Sequence, residues 1–144
     1  MKQSLITLKK QFKKEIIIVF GCGGERDKKK RFAMGKIASK YCRKIFVTDD
    51  NPRNENPKKI RNTIIKGCKK IAVNIGSRKK AIKTAISELG SNEILLVAGK
   101  GNEETQDLGN KIVDGAQGLA SDIVGLALPK KALKAAEDDN DETP

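Results

Sequence analysis

The sequence contains no histidine and no tryptophan, only one tyrosine and only three cysteines. Without histidine, acid–base catalysis by imidazole and histidine–metal sites are excluded. The cysteines, Cys22, Cys42 and Cys68, are odd in number and lack the spacing of a metal site, so reduced thiols are the simplest interpretation. No apolar run approaches the length of a membrane span and no signal-peptide pattern is present, so we expect a cytoplasmic protein with no membrane partner.

Positive charge is abundant. The 144 residues carry a formal net charge of +12, and all five charged residues from Glu137 onward are acidic, so removing those five negative charges leaves +17 on the rest of the chain. Such a charge permits non-specific binding of nucleic acid. However, the lysines are scattered along the chain, aromatic residues are few, and no recognised nucleic-acid-binding motif is present, which argues against nucleic acid as the main partner.

Short apolar runs alternate with segments of helical spacing up to about residue 98. We predict strands over Glu15–Phe20, Lys44–Thr48, Lys70–Ile75 and Glu93–Ala98. We predict helices over 3–13, 30–42, 57–67 and from Ser77 to about Gly90, with Asn56 and Ser77 as N-caps. This alternation predicts an α/β fold with an open, mostly parallel, Rossmann-like sheet and helices on both faces.

The pattern weakens beyond Asn110, where glycines and Pro129 interrupt any helix. From about residue 137 the chain is acidic and lacks apolar residues, so we expect disorder there. We therefore predict one domain over 1–112 and an irregular tail over 113–144.

Three predicted loops, at 21–31, 49–56 and 99–106, follow strands and therefore gather at the carboxyl edge of the sheet, where ligands bind in open α/β folds. They present charged and amide side chains: Arg26, Asp50, Asn51, Arg53, Lys100 and Glu103. An arginine fork binds a carboxylate, and Asp or Asn accepts hydrogen bonds from an ammonium. Each loop taken alone is also an ordinary turn, but their convergence favours a small-molecule site.

Together these loops resemble the C-terminal domain of the Mur ligases, over roughly residues 4–112, and within that family the branch that adds meso-diaminopimelate. The resemblance lies in the order and spacing of three motifs: Gly21-Cys22-Gly23-Gly24-Glu25-Arg26-Asp27, Asp50-Asn51-Pro52-Arg53 and Gly99-Lys100-Gly101-Asn102-Glu103. The second motif is the one with which that branch recognises diaminopimelate.

The resemblance implies a role for each motif. Arg26 and Arg53 would hold carboxylates of diaminopimelate, Asn51 would add hydrogen bonds, and Gly99 with Glu103 would bind the distal ammonium and carboxylate. Asp50 and Pro52 belong to the same recognition motif. The family's activity is amide-bond formation driven by ATP with Mg²⁺.

Some features of the complete family are missing from this sequence. It has no G-x-x-x-x-G-K-[ST] phosphate loop and none of the residues of the upstream domains, so we expect no catalytic or metal-binding residue here and no ATP or Mg²⁺ bound by this chain alone. The family's domain also has a strand before the helix predicted at 3–13, so we expect an N-terminally truncated domain.

Three functional hypotheses remain open. The first is a ligase fragment that keeps the loops for the amino acid and cannot catalyse alone. The second is a split subunit that acts with a separate chain bearing the ATP-binding and UDP-sugar-binding domains. The third is a non-catalytic protein that binds a small molecule or an acidic polymer.

Overall fold

The computed structural model describes residues 1–99 in full and, beyond them, the backbone of three short strands at 105–107, 112–114 and 126–127. The helices are α1 (Lys2–Phe12), α2 (Lys28–Tyr41), α3 (Pro57–Gly67) and α4 (Arg78–Glu88). The strands are β1 (Glu15–Phe20), β2 (Lys44–Val47), β3 (Ala72–Asn74), β4 (Glu93–Ala98), β5 (Thr105–Asp107), β6 (Ile112–Asp114) and β7 (Leu126–Ala127).

The central sheet has the strand order β3-β2-β1-β4-β7, in which the first four strands are parallel and β7 is antiparallel to β4. Val19 on β1 lies level with Phe46 on β2 and with Val97 on β4. The predicted open, mostly parallel sheet is therefore confirmed. Because β1 lies between β2 and β4, the carboxyl ends of these three strands are neighbours.

Helices cover both faces of the sheet, as the sequence predicts. Alternate residues of β1 point to opposite faces: Ile16, Ile18 and Phe20 pack in one apolar cluster with α1, α2 and α3, while Ile17 and Val19 pack in a second cluster with α4. All five of these β1 side chains are buried, which explains the continuous apolar run in the sequence.

The predicted caps set the helix starts. The Asn56 side chain accepts hydrogen bonds from the backbone N–H groups of Lys58 (2.9 Å) and Lys59 (3.4 Å), and the Ser77 hydroxyl accepts one from Lys80 (3.3 Å). Helix α2 begins at Lys28, two residues before the predicted start, because Asp27 caps it by accepting a hydrogen bond from the Lys29 N–H at 3.0 Å.

Helices α2 and α3 pack with their backbones close together. A Cβ added to Gly35 would lie 2.1 Å from the carbonyl oxygen of Ile64, and one added to Gly67 would lie 2.1 Å from that of Phe32. Gly67 is the last residue of α3, so the predicted end of that helix holds. The glycine is needed there for the close approach of α2.

The outer elements differ more from the sequence prediction. Strand β3 is shorter than the predicted Lys70–Ile75, since it lies at the sheet edge and Ile71 just before it is 94% exposed. Strands β5 and β6 pair antiparallel, and β7 adds two residues of the predicted tail to the sheet, which the sequence analysis did not foresee. The boundary at residue 112 stays a prediction, and the disorder expected from about residue 137 lies outside the described residues.

None of the helices in the described part of the chain is both long enough and apolar enough to cross a membrane.

Candidate functional site

A cavity of about 540 Å³ opens at the carboxyl edge of the sheet, between the loops that follow β1 and β2 and the end of β4. Its lining comprises Gly21, Cys22, Gly23, Arg26, Asp27, Lys30, Met34, Asp50, Asn51, Arg53 and Gly99. Five of the seven site residues predicted from the sequence are thus brought together, namely Arg26, Asp50, Asn51, Arg53 and Gly99. Pro52 is buried behind the cavity wall, and Glu103 lies outside the described residues.

The glycine-rich loop after β1 is pressed against the loop after β2. A Cβ added to Gly21 would lie 2.3 Å from the Thr48 carbonyl oxygen, and one added to Gly24 would lie 1.9 Å from that of Pro52. The Gly24 N–H donates a hydrogen bond to the Asn51 carbonyl at 2.7 Å. These glycines therefore allow two backbones to approach each other.

Arg53 lies at the junction of these two loops. Its Nη1 donates to the carbonyl oxygens of Gly24 at 2.8 Å and Asn51 at 3.4 Å, while its other guanidinium nitrogens make no hydrogen bond within the described residues. Its φ of 51° is in the left-handed region, which costs a non-glycine residue about 1 kcal/mol or more. A strained arginine beside a cavity, with N–H groups to spare, is suited to bind an anion.

The charged side chains around the cavity have both signs. Arg26, Lys30 and Arg53 supply three cations, and Asp27 and Asp50 supply two carboxylates. Asp50 is half-buried, and its Oδ2 lies 3.7 Å from the position of a Cβ added to Gly99, whose φ is +113°. A cavity with cations and carboxylates on its walls can bind a small molecule that carries both a carboxylate and an ammonium.

Two further residues hold the loops together, and the sequence analysis missed both. Arg31 is 4% exposed, and its guanidinium makes a two-pronged ion pair with Glu55, with Nη1–Oε2 at 2.9 Å and Nη2–Oε1 at 3.0 Å. The Arg31 hydrogen bond, followed by one from the Glu25 N–H, lowers the pKa of Glu55 to about 2. Arg31 closes a charged run that resembles a solvated loop, so the sequence carries no signal of its burial.

Asp49, the residue directly before the Asp50-Asn51-Pro52-Arg53 motif, takes part in a separate structural contact. Its carboxylate pairs with the buried Arg61 on α3, whose Nε donates to the Asn74 side chain at 2.7 Å. Burial raises the pKa of Asp49, and the hydrogen bond and charge of Arg61 oppose that rise. Asp49 is absent from the cavity lining, so its place is in the wall that supports Asp50.

Cys22 faces the cavity but is not an activated nucleophile. Its thiol lies 3.5 Å from the Met34 sulfur, and burial raises the pKa of the thiol to about 11. Such a group is almost fully protonated at neutral pH, and the thiolate is the reactive form.

Metal-ligating side chains and backbone N–H groups near the cavity bear on whether Mg²⁺ or a phosphate could bind there. Among the described residues, no group of three or more Cys, Asp or Glu side chains is placed to hold a metal ion. In the glycine-rich loop, the N–H groups of Gly24 and Glu25 already donate to the Asn51 carbonyl and the Glu55 carboxylate, so neither of these two groups is available to a phosphate.

Residues 1–101 match the family described as "Mur ligase, glutamate ligase domain". Similar curated proteins are named UDP-N-acetylmuramoyl-L-alanyl-D-glutamate--2,6-diaminopimelate ligase. The protein of that name from Anaplasma marginale is 44% identical over 122 residues, covering 83% of this chain and 26% of the relative. The one from Rickettsia montanensis is 52% identical over 98 residues, covering 67% of this chain and 20% of the relative.

A solved structure of a protein with the same name is also similar. It aligns with a TM-score of 0.70 and 28% identity, covering 99% of this chain and 27% of the solved chain. The chain thus spans about a quarter of the length of the proteins it matches. The match to the family over residues 1–101, the strand order and the two described loops at the carboxyl edge, after β1 and β2, agree. The chain therefore belongs to the family of the Mur ligase glutamate ligase domain.

Proposed function

We propose that this chain is the amino-acid-binding part of the ligase that adds meso-diaminopimelate to UDP-MurNAc-L-Ala-D-Glu in peptidoglycan synthesis, in the cytoplasm, and that its own task is to bind the diaminopimelate. The observation that carries this proposal is the meeting of Arg26, Asp50, Asn51 and Arg53 around one cavity. The names of the similar proteins support it.

The chemistry of the cavity suits this amino acid. Diaminopimelate has two ammonium and two carboxylate groups joined by a short hydrocarbon chain. Arg53 and Arg26 would each bind a carboxylate, and Asp50 and Asn51 would accept hydrogen bonds from an ammonium. We assign Gly99 and Glu103 to the far end of the ligand, as the family resemblance implies.

A smaller, mostly apolar cavity adjoins the first and gives the hydrocarbon chain a place to lie. It has a volume of about 190 Å³ and shares Gly21, Met34 and Gly99 with the larger cavity. Phe20, Leu96 and Ala98 are among the residues that line it. A ligand with charged ends and methylene groups between them would bury those groups here.

Amide-bond formation needs more than this chain contains. In the full-length family, ATP with Mg²⁺ activates the acceptor carboxylate. The remaining three quarters of the relatives' length would come from a longer form of this polypeptide or from a separate chain, and diaminopimelate bound here would be presented to it.

Calorimetric titration tests the proposal. Wild-type protein should bind meso-diaminopimelate more tightly than L-lysine, which lacks the second carboxylate, and Arg53→Ala should lose most of that preference. Arg43→Ala is the matched control, since Arg43 pairs with Glu93 at the opposite edge of the sheet. Equal binding of both amino acids, or equal loss in Arg43→Ala, would contradict the proposal.

Binding of an acidic polymer is the second candidate function. A separate cavity of about 370 Å³ is lined by four lysines (Lys2, Lys36, Lys40 and Lys69) together with Ile37, Ser39 and Tyr41. None of the four lysines forms an ion pair with a carboxylate of the described residues. Polymer binding at this surface would weaken steeply with salt, whereas diaminopimelate binding in the larger cavity would depend on salt much less.

A further inference from the structure

Arg31 and Glu55 connect three segments around the candidate site. Glu55, in the loop after β2, accepts the two-pronged hydrogen bonds of Arg31 on α2 and also accepts one from the Glu25 N–H at 2.6 Å. Arg31 Nη2 also donates to the Gly23 carbonyl at 3.1 Å. Neither residue lines the cavity, so neither is placed to touch a ligand there.

We propose that Arg31 and Glu55 are positioning residues that lock the loops after β1 and β2 together and so set the separation of Arg26 and Arg53. This inference deepens the proposed function and rests on it. Arg26 and Arg53 sit on different loops, and their reach to two carboxylates depends on how those loops are placed. A displacement of the loops by a fraction of an ångström would disturb both contacts.

The backbone conformation of the residues next to the Arg31–Glu55 pair supports this role. Glu25 has a φ of 56° and Arg53 a φ of 51°, and they are two of only three non-glycine residues with positive φ among the described residues. Such conformations persist where surrounding contacts over-determine them. The Glu25 N–H is held by Glu55, and the Arg53 side chain is held by the Gly24 carbonyl.

The opposite charges of Arg31 and Glu55 are also consistent with a positioning role. Arg31 and Glu55 neutralise each other at 2.9 Å, so the pair adds almost no net field to the cavity. Arg26 and Arg53 make no ion pair with a carboxylate of the described residues, which leaves their charge for a ligand. Loss of Glu55 alone would leave the charge of Arg31 buried without its carboxylate partner.

The test compares Glu55→Gln with wild type, with Arg43→Ala as the control that removes a distant ion pair. Glu55→Gln keeps the shape of the side chain, and Arg31→Lys is a second variant that keeps the charge and loses the fork. Two quantities are measured well below the melting temperature. One is the hydrogen-exchange protection of the Glu25 and Gly24 amides without ligand, and the other is the affinity and stoichiometry for meso-diaminopimelate.

We expect Glu55→Gln and Arg31→Lys each to reduce the hydrogen-exchange protection of the Glu25 and Gly24 amides by about tenfold or more. We also expect each variant to bind meso-diaminopimelate with an affinity lower by about tenfold or more and with unchanged stoichiometry. Arg43→Ala should change neither. A purely structural role would lower the melting temperature and leave the affinity of the folded protein as in wild type, and that result would overturn the inference.

The two arms separate this inference from the proposed function. If the wild-type protein fails to bind meso-diaminopimelate, the proposed function fails. The hydrogen-exchange protection of the Glu25 and Gly24 amides, measured without ligand, then tests by itself whether Arg31 and Glu55 hold the two loops together. Loss of protection in both variants then supports a lock between the two loops, and unchanged protection overturns it.

Discussion

The guanidinium of Arg53 donates a hydrogen bond from Nη1 to the carbonyl oxygen of Gly24, 2.8 Å away and 29 positions earlier in the chain. This bond joins the loop after β2 to the loop after β1 at the mouth of the cavity. One arginine therefore supports the wall of the site and also lines the cavity. Substitution of Arg53 removes both contributions, and a comparison of glycine with alanine at this position isolates the cost of its positive φ.

Arg53→Gly and Arg53→Ala should differ in stability and agree in binding. Both lose the hydrogen bond to Gly24 and the cation, so both should lose binding by a factor that corresponds to about 1.5–3 kcal/mol. Glycine adopts the left-handed conformation freely, so Arg53→Gly should be more stable than Arg53→Ala by about 1 kcal/mol. Urea unfolding measures that difference, and equal stabilities would contradict the role of the positive φ.

Gly24→Ala should be strongly destabilising, whereas Gly23→Ala should mainly weaken binding. A Cβ at Gly24 meets the Pro52 carbonyl oxygen at 1.9 Å, so a backbone must move, at a cost of about 1–3 kcal/mol. A Cβ at Gly23 meets the end of the Arg53 side chain at 3.0 Å, which can give way by moving Arg53. Thermal unfolding and titration of both variants check this, and the opposite order of stability would refute the loop packing.

The Arg31–Glu55 pair predicts a loss of stability in acid. Because the pKa of Glu55 in the folded protein is about 2 against an ordinary 4.5, its contribution is fully present above pH 4.5 and is lost as the pH falls toward 2. Stability measured from pH 5 to pH 2 should fall less steeply in Glu55→Gln than in wild type. Asp49, whose pKa is raised by burial, acts in the opposite sense in both proteins and therefore cancels in the comparison. Parallel curves would contradict the assignment.

The three thiols should react slowly while the protein is folded. Burial raises the pKa of Cys22 to about 11 and that of Cys42 to about 12, and it also raises the pKa of Cys68. At pH 8 a shift of two pKa units reduces the thiolate fraction roughly a hundredfold. Mass spectrometry after iodoacetamide treatment should find little alkylation in the native protein and three modified thiols in urea. Rapid native labelling of Cys22 would show that the site is more open than described.

Much of the fold follows from local patterns in the sequence. The two longest strands, Glu15–Phe20 and Glu93–Ala98, were predicted with the bounds that the structure shows. Both lie in the middle of the sheet and are buried on both faces, so their sequences are continuous apolar runs. The starts of α3 and α4 could be predicted from Asn56 and Ser77, because an N-cap contacts only the first turn of its own helix. Strand β3 is shorter than the sequence predicts, because it lies at the sheet edge and pairs only with β2.

The site could be predicted only in part. The parallel alternation of strands and helices places the loops after β1, β2 and β4 at one edge, so Arg26, Asp50, Asn51, Arg53 and Gly99 could be expected to meet. Which charged residues are buried could not be predicted, because Arg31 and Glu55 are 24 positions apart and become partners only when the two loops are pressed together. The same holds for Arg61 and Asp49.

The central claim is that the cavity between the loops after β1 and β2 binds meso-diaminopimelate. The most direct test is to follow the backbone amide resonances of the protein by NMR as the amino acid is added. We expect saturable shifts confined to the amides of residues around the cavity, namely Gly23, Gly24, Arg26, Asp50, Asn51, Arg53 and Gly99. Shifts centred on Lys36, Lys40 and Lys69 instead, or no shifts in a folded protein, would contradict it.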